Sequence, residues 1–234
     1  MSPEPAEPVV GGGEVERIRQ VYAERDQRPA RHPAIVGAYR RINAERLARM
    51  EAVLRVAAPP PQGRILDVGC GGGGDIRRWI EAGWAPAAVA GTDLVPARVA
   101  AARAVNPDSD IRLGDGASLP FPEAAFEVAT AVTVFSSILD PAFRRRLFQE
   151  MGRVVRPGGL ILVYDFVVAK PTNRTTTGMT LDRLRAMATR APEHSERLSP
   201  LLQLVAAGAF LGPRAADVVA RWAPRTHRLS SWSV

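Results

Sequence analysis

The stretch Arg64-Ile-Leu-Asp67-Val-Gly69-Cys-Gly71-Gly-Gly73-Gly74 decides the fold that the sequence predicts. Its apolar residues suit a β-strand that is covered on both faces, and the glycines that follow permit positive φ angles and a close approach of backbone N–H groups to a ligand. Residues 75–82 are then predicted to form a helix whose N-terminus faces that ligand. The stretch therefore indicates a buried strand that enters a ligand-binding loop.

The glycine loop alone leaves the ligand open. Gly69, Gly71 and Gly74 also satisfy the dinucleotide fingerprint G-x-G-x-x-G, and Asp93 follows at about the distance expected of a ribose-binding acid. A tight strand-to-helix turn that binds nothing is a further alternative. The motifs downstream of the loop distinguish these interpretations.

Length and composition predict one globular domain in reducing surroundings. The chain has 234 residues, 46% of them hydrophobic, and a single cysteine, Cys70, which excludes an internal disulfide framework and a cysteine-built zinc site. We therefore expect no metal. No apolar run approaches the ~20 residues of a membrane helix, and the acidic, proline-rich start differs from a secretory signal, so we expect a cytoplasmic protein with no membrane partner.

The formal net charge of +7 raises nucleic acid as a partner. The basic residues are scattered, however, and the longest run, at 144–146, falls on a predicted surface helix, where a solvated charged face is the ordinary interpretation. We therefore do not expect nucleic acid to be the partner.

The order of the predicted elements favours an α/β fold. Alternating strands and helices imply a Rossmann-like, doubly wound and mostly parallel sheet with helices on both faces. The predicted strands lie at 63–68, 87–93, 109–113, 126–132 and 159–166, and the helices between them at 75–82, 96–105 and 141–154. Helical patterns at 14–27 and 36–57 precede this core, and helical stretches at 179–191, 199–211 and 213–222 with a short strand at 227–233 follow it.

Four parts of the chain follow from this pattern: a disordered tail (1–13), N-terminal helices over the site (14–58), a binding core (59–168), and a helical cap with a closing strand (169–234). The cap contains an apolar stretch that includes Leu204 and Phe210. That stretch could line a substrate pocket, seal a homodimer or simply pack.

Three motifs downstream of the glycine loop carry the assignment. Val89–Asp93 is a strand that ends in a carboxylate, placed to accept hydrogen bonds from two vicinal ribose hydroxyls at the carboxyl edge of a parallel sheet. Further on come Asp115-Gly-Ala-Ser-Leu-Pro-Phe121 and Arg153-Val-Val-Arg-Pro-Gly-Gly159. With the glycine loop, and in this order, they resemble the class I S-adenosylmethionine-dependent methyltransferases, which carry D-x-G-x-G-x-G, D-x-x-x-L-P-F and R-x-x-R-P-G-G signatures. The resemblance covers residues 64–166.

The resemblance implies a site for S-adenosylmethionine. The loop glycines would cradle its methionine part with Asp67 near the amino group, unless Asp67 is only a structural acid bonded to loop amides. Asp93 would hold the ribose and Asp115 the adenine amino group. The residues expected to bind the cofactor are Asp67, Gly69, Cys70, Gly71, Gly73, Asp93, Leu94, Asp115, Gly116, Ala117, Val132 and Thr133.

The acceptor side departs from the family. Ser136 and Ser137 stand where members often carry a His pair, which removes the nearest imidazole for proton removal. The candidate catalytic residues are therefore Asp165, at the end of the last parallel strand, and His227; if His227 is the base, the rate should fall below a pKa near ~6.5. The residues expected to contact the substrate are Tyr22, Tyr39, Phe135, Ser136 and Asn173.

The sequence thus predicts a methyltransferase that acts on a small molecule, with O-methylation in specialised metabolite biosynthesis as the expected reaction. N- or C-methylation of a small molecule, an RNA methyltransferase and a cofactor-binding protein without catalysis are the alternatives. Residues 130–140, around the fourth core strand, also lack the N/D-P-P-Y/F signature of enzymes that methylate nucleobase amines, which weakens the RNA alternative.

Overall fold

The computed structural model describes residues 12–27, 33–168 and 173–234. Most of the predicted 1–13 tail lies outside the described residues, but Gly12 and Gly13 begin the first helix. The helices are α1 (Gly12–Asp26), α2 (Pro33–Ala57), α3 (Gly74–Glu81), α4 (Pro96–Val105), α5 (Pro141–Val154), α6 (Leu181–Ala188), α7 (Leu202–Phe210) and α8 (Pro213–Trp222), with short 3₁₀ helices at Pro86–Ala88 and Phe135–Ser137. The strands are β1 (Ile65–Val68), β2 (Val89–Asp93), β3 (Ile111–Leu113), β4 (Phe126–Val132), β5 (Val155–Phe166), β6 (His194–Pro200) and β7 (Arg225–Ser233).

The strands form one seven-stranded sheet in the order β3-β2-β1-β4-β5-β7-β6. Strands β1 to β5 pair with one another in parallel, and β7 lies antiparallel between β5 and β6. This confirms the predicted Rossmann-like, mostly parallel sheet. The strand order reverses at β1, between β2 and β4, and open α/β sheets bind their ligands outside the carboxyl ends of the strands at such a point.

The core is divided between the two faces of the sheet. Leu66 of β1 packs in a cluster with Leu147 of α5, whereas its neighbour Ile65 packs in a second cluster with Met50 of α2. This alternation follows from the two-residue period of a strand. It also shows which face any later residue of β4, β5 or β7 occupies.

Strand β6, which begins at His194, was not predicted. Its first residues are polar and partly exposed, because β6 lies at the edge of the sheet, where polar side chains discourage pairing with other chains. The predicted helix at 199–211 is therefore wrong at its start, since α7 begins at Leu202. The predicted helical cap contributes two strands to the sheet.

The apolar stretch of the cap packs only in part. Val205 is fully buried and packs with Ala38 of α2, whereas Phe210 and Leu211 are exposed. Plain packing therefore explains the first part of α7, and a homodimer remains a prediction for the exposed end. Among the described residues, no helix combines the length and the hydropathy that crossing a bilayer requires.

Candidate active site

The glycine loop between β1 and α3 is held by its own backbone. The N–H groups of Gly69 and Cys70 donate to the carbonyl of Thr92 in β2, at 2.8 and 3.0 Å. Gly73 has a φ of +78°, and a Cβ there would lie 2.5 Å from Nδ2 of Asn106. Both observations explain why this position requires glycine.

The opposite side of the loop is open. A Cβ at Gly72 would meet no atom within 4 Å, and at Gly71 only an Arg98 nitrogen, at 4.0 Å. Cys70 points the other way: its thiol is buried against Gly91, and burial raises its pKa. The backbone at Gly71 and Gly72 therefore allows a close approach, and the Cys70 side chain fills space behind the loop.

Asp93 ends β2 beside this open side. Its Oδ2 accepts the N–H of Gly71 and its Oδ1 accepts the N–H of Val95, each at 2.9 Å. Each carboxylate oxygen can accept a second hydrogen bond. The carboxylate thus fixes the loop and still has the capacity to receive two hydroxyl groups of a ribose.

The turn after β3 places the predicted adenine-binding residues at the same edge. Asp115 Oδ1 accepts the N–H of Ala117 at 2.8 Å, while Oδ2 has no hydrogen-bond partner within the described ranges. Gly116 lies against α5, since a Cβ there would be 2.9 Å from Leu147. Leu94 directly follows Asp93, and its carbonyl lies 3.5 Å from Nε of Arg19 of α1.

Asp67 is buried at the end of β1, and its partner is the hydroxyl of Thr130, which is also its register partner on β4, at 3.0 Å. No loop amide of the described chain donates to it. Burial and the nearby carboxylate of Asp75 raise the pKa of Asp67, against the opposing effects of the Thr130 hydroxyl and of Arg46. A cationic group placed beside Asp67 would favour its ionised form.

Sequence reasoning missed Arg46. This arginine of α2 is 5% exposed, and it donates two hydrogen bonds to the carboxylate of Asp75 at 2.7 and 2.8 Å. The pair fastens α2 to the first turn of α3, directly after the glycine loop. The signal was present, because Arg46 interrupts the buried stripe of Ile42, Met50 and Leu54 at a spacing of four residues.

Helix α1 contacts the Phe135–Ser137 turn and Arg98, which lies beside the glycine loop. The Tyr22 hydroxyl is 3.0 Å from Oγ of Ser137, and the Tyr22 ring lies against the guanidinium groups of Arg25 and Arg98. Arg98 in turn pairs with Asp26 at the end of α1. Tyr22 therefore lies at the predicted site, whereas Tyr39 is an exposed residue of α2.

The residue directly after β4 has a strained backbone. Thr133, which follows Val132, has a φ of +56°, an uncommon conformation for a β-branched side chain, and its N–H donates to the Tyr164 carbonyl at 2.7 Å. Such strain is often found at functional sites.

Asn173, a predicted substrate contact, is linked to α1. Its Oδ1 accepts two hydrogen bonds from Thr175, and the Thr175 hydroxyl accepts one from Arg25 of α1.

Two predicted substrate contacts need correction. Phe135 is fully buried, with its ring 6.5 Å from that of Phe148, because the Phe135–Ser137 turn directs it into the core. Ser136 is also buried, and its N–H donates to Oδ2 of Asp165 at 2.9 Å. Neither side chain lines an open acceptor pocket.

The two candidate catalytic residues lie on opposite faces of the sheet. Both oxygens of Asp165 accept backbone hydrogen bonds, from Ser136 and Phe166, and burial raises its pKa to about 6. Asp165 thus holds the Phe135–Ser137 turn in place. His227 lies on the other face, stacked on the Tyr164 ring at 4.8 Å and against Phe166 at 4.1 Å.

The surroundings of His227 change the expected pH dependence. Burial and the charge of Arg46 lower its pKa to about 4, and its Nδ1 is 2.9 Å from the hydroxyl of Thr226. A rate limb from His227 would therefore fall near pH 4 instead of the ~6.5 of an ordinary histidine. That Asp165 or His227 contacts the methyl acceptor stays a prediction.

Comparisons with known proteins agree with this geometry. Residues 66–163 match the model of a methyltransferase domain. Over 113 residues the chain is 34% identical to malonyl-[acyl-carrier protein] O-methyltransferase of Serratia marcescens, covering 48% of this chain and 42% of that protein. Over 130 residues it is 33% identical to the ubiquinone/menaquinone biosynthesis C-methyltransferase UbiE of Syntrophotalea carbinolica, covering 55% and 53%.

A solved structure extends the likeness in fold. The S-adenosylmethionine dependent methyltransferase from Mesorhizobium loti superposes with a TM-score of 0.55 at 24% identity, covering 77% of this chain and 95% of that one. The chain spans about half the length of the curated relatives it matches. The matched domain and the fold are therefore similar to those of S-adenosylmethionine-dependent methyltransferases.

Proposed function

We propose that this protein transfers the methyl group of S-adenosylmethionine to an oxygen atom of a small specialised metabolite. The observation that carries the proposal is the common edge at which Asp93 and Asp115 follow β2 and β3 beside the open side of the glycine loop. Asp93 retains hydrogen-bonding capacity for two hydroxyls, and Asp115 retains one carboxylate oxygen. This arrangement matches the ribose and the adenine amino group of the cofactor.

When bound, S-adenosylmethionine supplies an activated methyl group on a sulfonium, so the protein has to align an acceptor and exclude water. Helix α1 performs the exclusion, because Tyr22 and Arg98 hold it over the loop. Asp165 is a positioning residue, since it fixes the turn that carries Ser137, the partner of Tyr22. Methylation of a hydroxyl also releases a proton, and no imidazole stands in that turn to take it.

A carbon acceptor is the second candidate. It is favoured by one observation, that a relative matched over 55% of this chain is named a C-methyltransferase. The two candidates differ in the bond formed. With ¹³C-methyl-labelled cofactor, the carbon chemical shift of the product's methyl group distinguishes an O-methyl from a C-methyl group.

Calorimetry tests the cofactor side. We expect the chain to bind S-adenosylmethionine and S-adenosylhomocysteine with affinities on the order of micromolar and NADH without detectable heat. The matched variants are Asp93→Ala, which should weaken binding, and Asp108→Ala, which removes an exposed carboxylate elsewhere and should not. Tight NADH binding without a response to the methyl donor would contradict the proposal.

Incubation with the labelled cofactor and a panel of phenols, carboxylic acids and quinols tests transfer itself. A methylated product whose formation depends on Asp93 supports the proposal. Tight cofactor binding with no product from the panel would favour a binding protein without catalysis, and salt-resistant affinity for structured RNA would favour the nucleic-acid alternative.

A further inference from the structure

A separate cavity lies between α5, α6 and the turn before α5. Its volume is about 400 Å³, within the usual range of small-molecule pockets. Three arginines line it, Arg144, Arg145 and Arg183, together with the apolar side chains of Leu139, Pro141 and Met187. None of these residues belongs to the predicted cofactor site.

The three arginines do not have carboxylate partners in the described part of the chain. Arg144 is 7% exposed, and its guanidinium donates to the carbonyls of Ile138 and Leu139 at 2.7 and 2.9 Å. Arg183 donates to the carbonyl of Gly178 at 2.6 Å. Carbonyl groups orient a guanidinium but carry no net charge, so no direct ion pair neutralises the three arginines among the described residues.

The nearest acids are already engaged. Glu14 pairs with Arg17 and accepts the N–H of Leu139, and Asp140 caps α5 by accepting the N–H of Ala142. The pKa of Arg144 is lowered, first by burial and then by the charge of Arg183, against the opposing effects of the carboxylates of Glu14, Asp140 and Asp165. A second cation therefore acts on a buried cation, and an anion between them would relieve the repulsion.

We propose that this cavity binds the phosphate group of a phosphorylated small molecule, whose apolar part lies against Leu139, Pro141 and Met187. Guanidinium groups match the geometry of phosphate oxygens through paired N–H donors. Several positive charges also favour a dianion over a single carboxylate. The cavity is larger than a phosphate ion alone needs, and the apolar wall provides for the remainder of the molecule.

One hydrogen bond links the cavity to the Phe135–Ser137 turn. Thr177 lines the cavity, and the N–H of Thr177 donates to the carbonyl of Ser136 at 2.8 Å, in the turn that Asp165 holds. None of the residues that line the cavity is expected to bind the cofactor. Binding to the cavity can therefore be measured on the cofactor-free chain, and it does not depend on the proposed methyl transfer.

Calorimetric titration with hexyl phosphate tests the proposal. Arg145→Gln and Arg183→Gln should each weaken binding by about fivefold or more, as expected when a charged hydrogen-bond donor is lost. The matched control is Arg146→Gln, which removes the same charge from the next, exposed residue of α5 outside the cavity and should change binding by less than about twofold. Hexanoate, with the same chain and one charge, should bind at least about tenfold more weakly than hexyl phosphate.

Three results would overturn the proposal. An absence of binding would mean that there is no site, and equal weakening in all three variants would mean only a general attraction of anions. The third is hexanoate binding as tightly as hexyl phosphate. Because Arg183 also holds Gly178, thermal melts check that variant, and Arg145→Gln, whose side chain is exposed, gives the decision if Arg183→Gln unfolds.

Discussion

Replacing Arg46 by alanine should destabilise the fold far more than removal of an exposed arginine from the same helix. Arg46 and Arg49 both lie on α2, and each forms a two-bonded ion pair, with Asp75 and with Glu196. They differ in burial: the side chain of Arg46 is 6% exposed and that of Arg49 is 53% exposed. The pair of variants thus isolates the effect of burial.

The magnitude follows from what Arg46→Ala leaves behind. Breaking a buried ion pair by removing one partner costs about 3–5 kcal/mol, because the other charge stays buried and unpaired. Asp75 retains some contact with solvent, with 18% of its side chain exposed, which favours the lower end of this range. We therefore expect a loss of about 3 kcal/mol in the free energy of unfolding. Arg49→Ala should be indistinguishable from the unmodified chain, as is usual for exposed pairs.

Urea denaturation followed by circular dichroism measures both variants, and a double-mutant cycle of Arg46→Ala with Asp75→Ala isolates the energy of the pair. The double variant should be more stable than the sum of the two single losses implies, since it leaves no unpaired charge. If Arg46→Ala is no more destabilising than Arg49→Ala, the pair does not fasten α2 to α3, and the reasoning from burial fails.

Three further predictions concern Asp93, which is expected to hold the ribose, Gly73 of the glycine loop, and His227. Asp93→Ala should weaken binding of S-adenosylmethionine by roughly 1.5–3 kcal/mol. Asp93→Asn should bind more weakly than the unmodified chain too, because an amide NH₂ would face a backbone N–H whose hydrogen bond the carboxylate now accepts. Calorimetry measures both variants. Gly73→Ala should lower the free energy of unfolding by at least ~1–3 kcal/mol from the positive φ alone, whereas Gly72→Ala, in open space, should not; the same urea titration compares them. For His227, whose pKa is lowered to about 4, the unfolded chain binds the proton more readily than the folded one, so stability should fall as the pH decreases from about 6.5 to about 4. His227→Phe keeps a ring for the stack and should remove this part of the pH dependence, and an unchanged dependence would contradict the lowered pKa.

The sequence predicted the central sheet because each strand from β1 to β5 carries its own local signal. A buried apolar run such as 65–68 is bounded by glycine, and an acid ends the strand where a ligand meets it. Strand β6 has no such signal, since most of His194–Pro200 is polar and partly exposed at the sheet edge. Its pairing with β7 depends on neighbours distant in sequence, and no local pattern indicates it.

The residues expected to bind the cofactor carry local signals of the same kind, whereas the acceptor side depends on which face of the sheet a side chain occupies. Phe166 pairs with His227 across β5 and β7, so these two share a face, together with Tyr164 two residues earlier. Asp165, between Tyr164 and Phe166, must then point to the opposite face, where it accepts a hydrogen bond from the N–H of Ser136 in the Phe135–Ser137 turn. Asp165 and His227 therefore cannot act on one acceptor atom as a pair. Asp165 accepts a hydrogen bond from the turn that Tyr22 contacts, and His227 belongs to an aromatic stack on the face that α2 covers. Only the register of β5 with β7 separates these two roles.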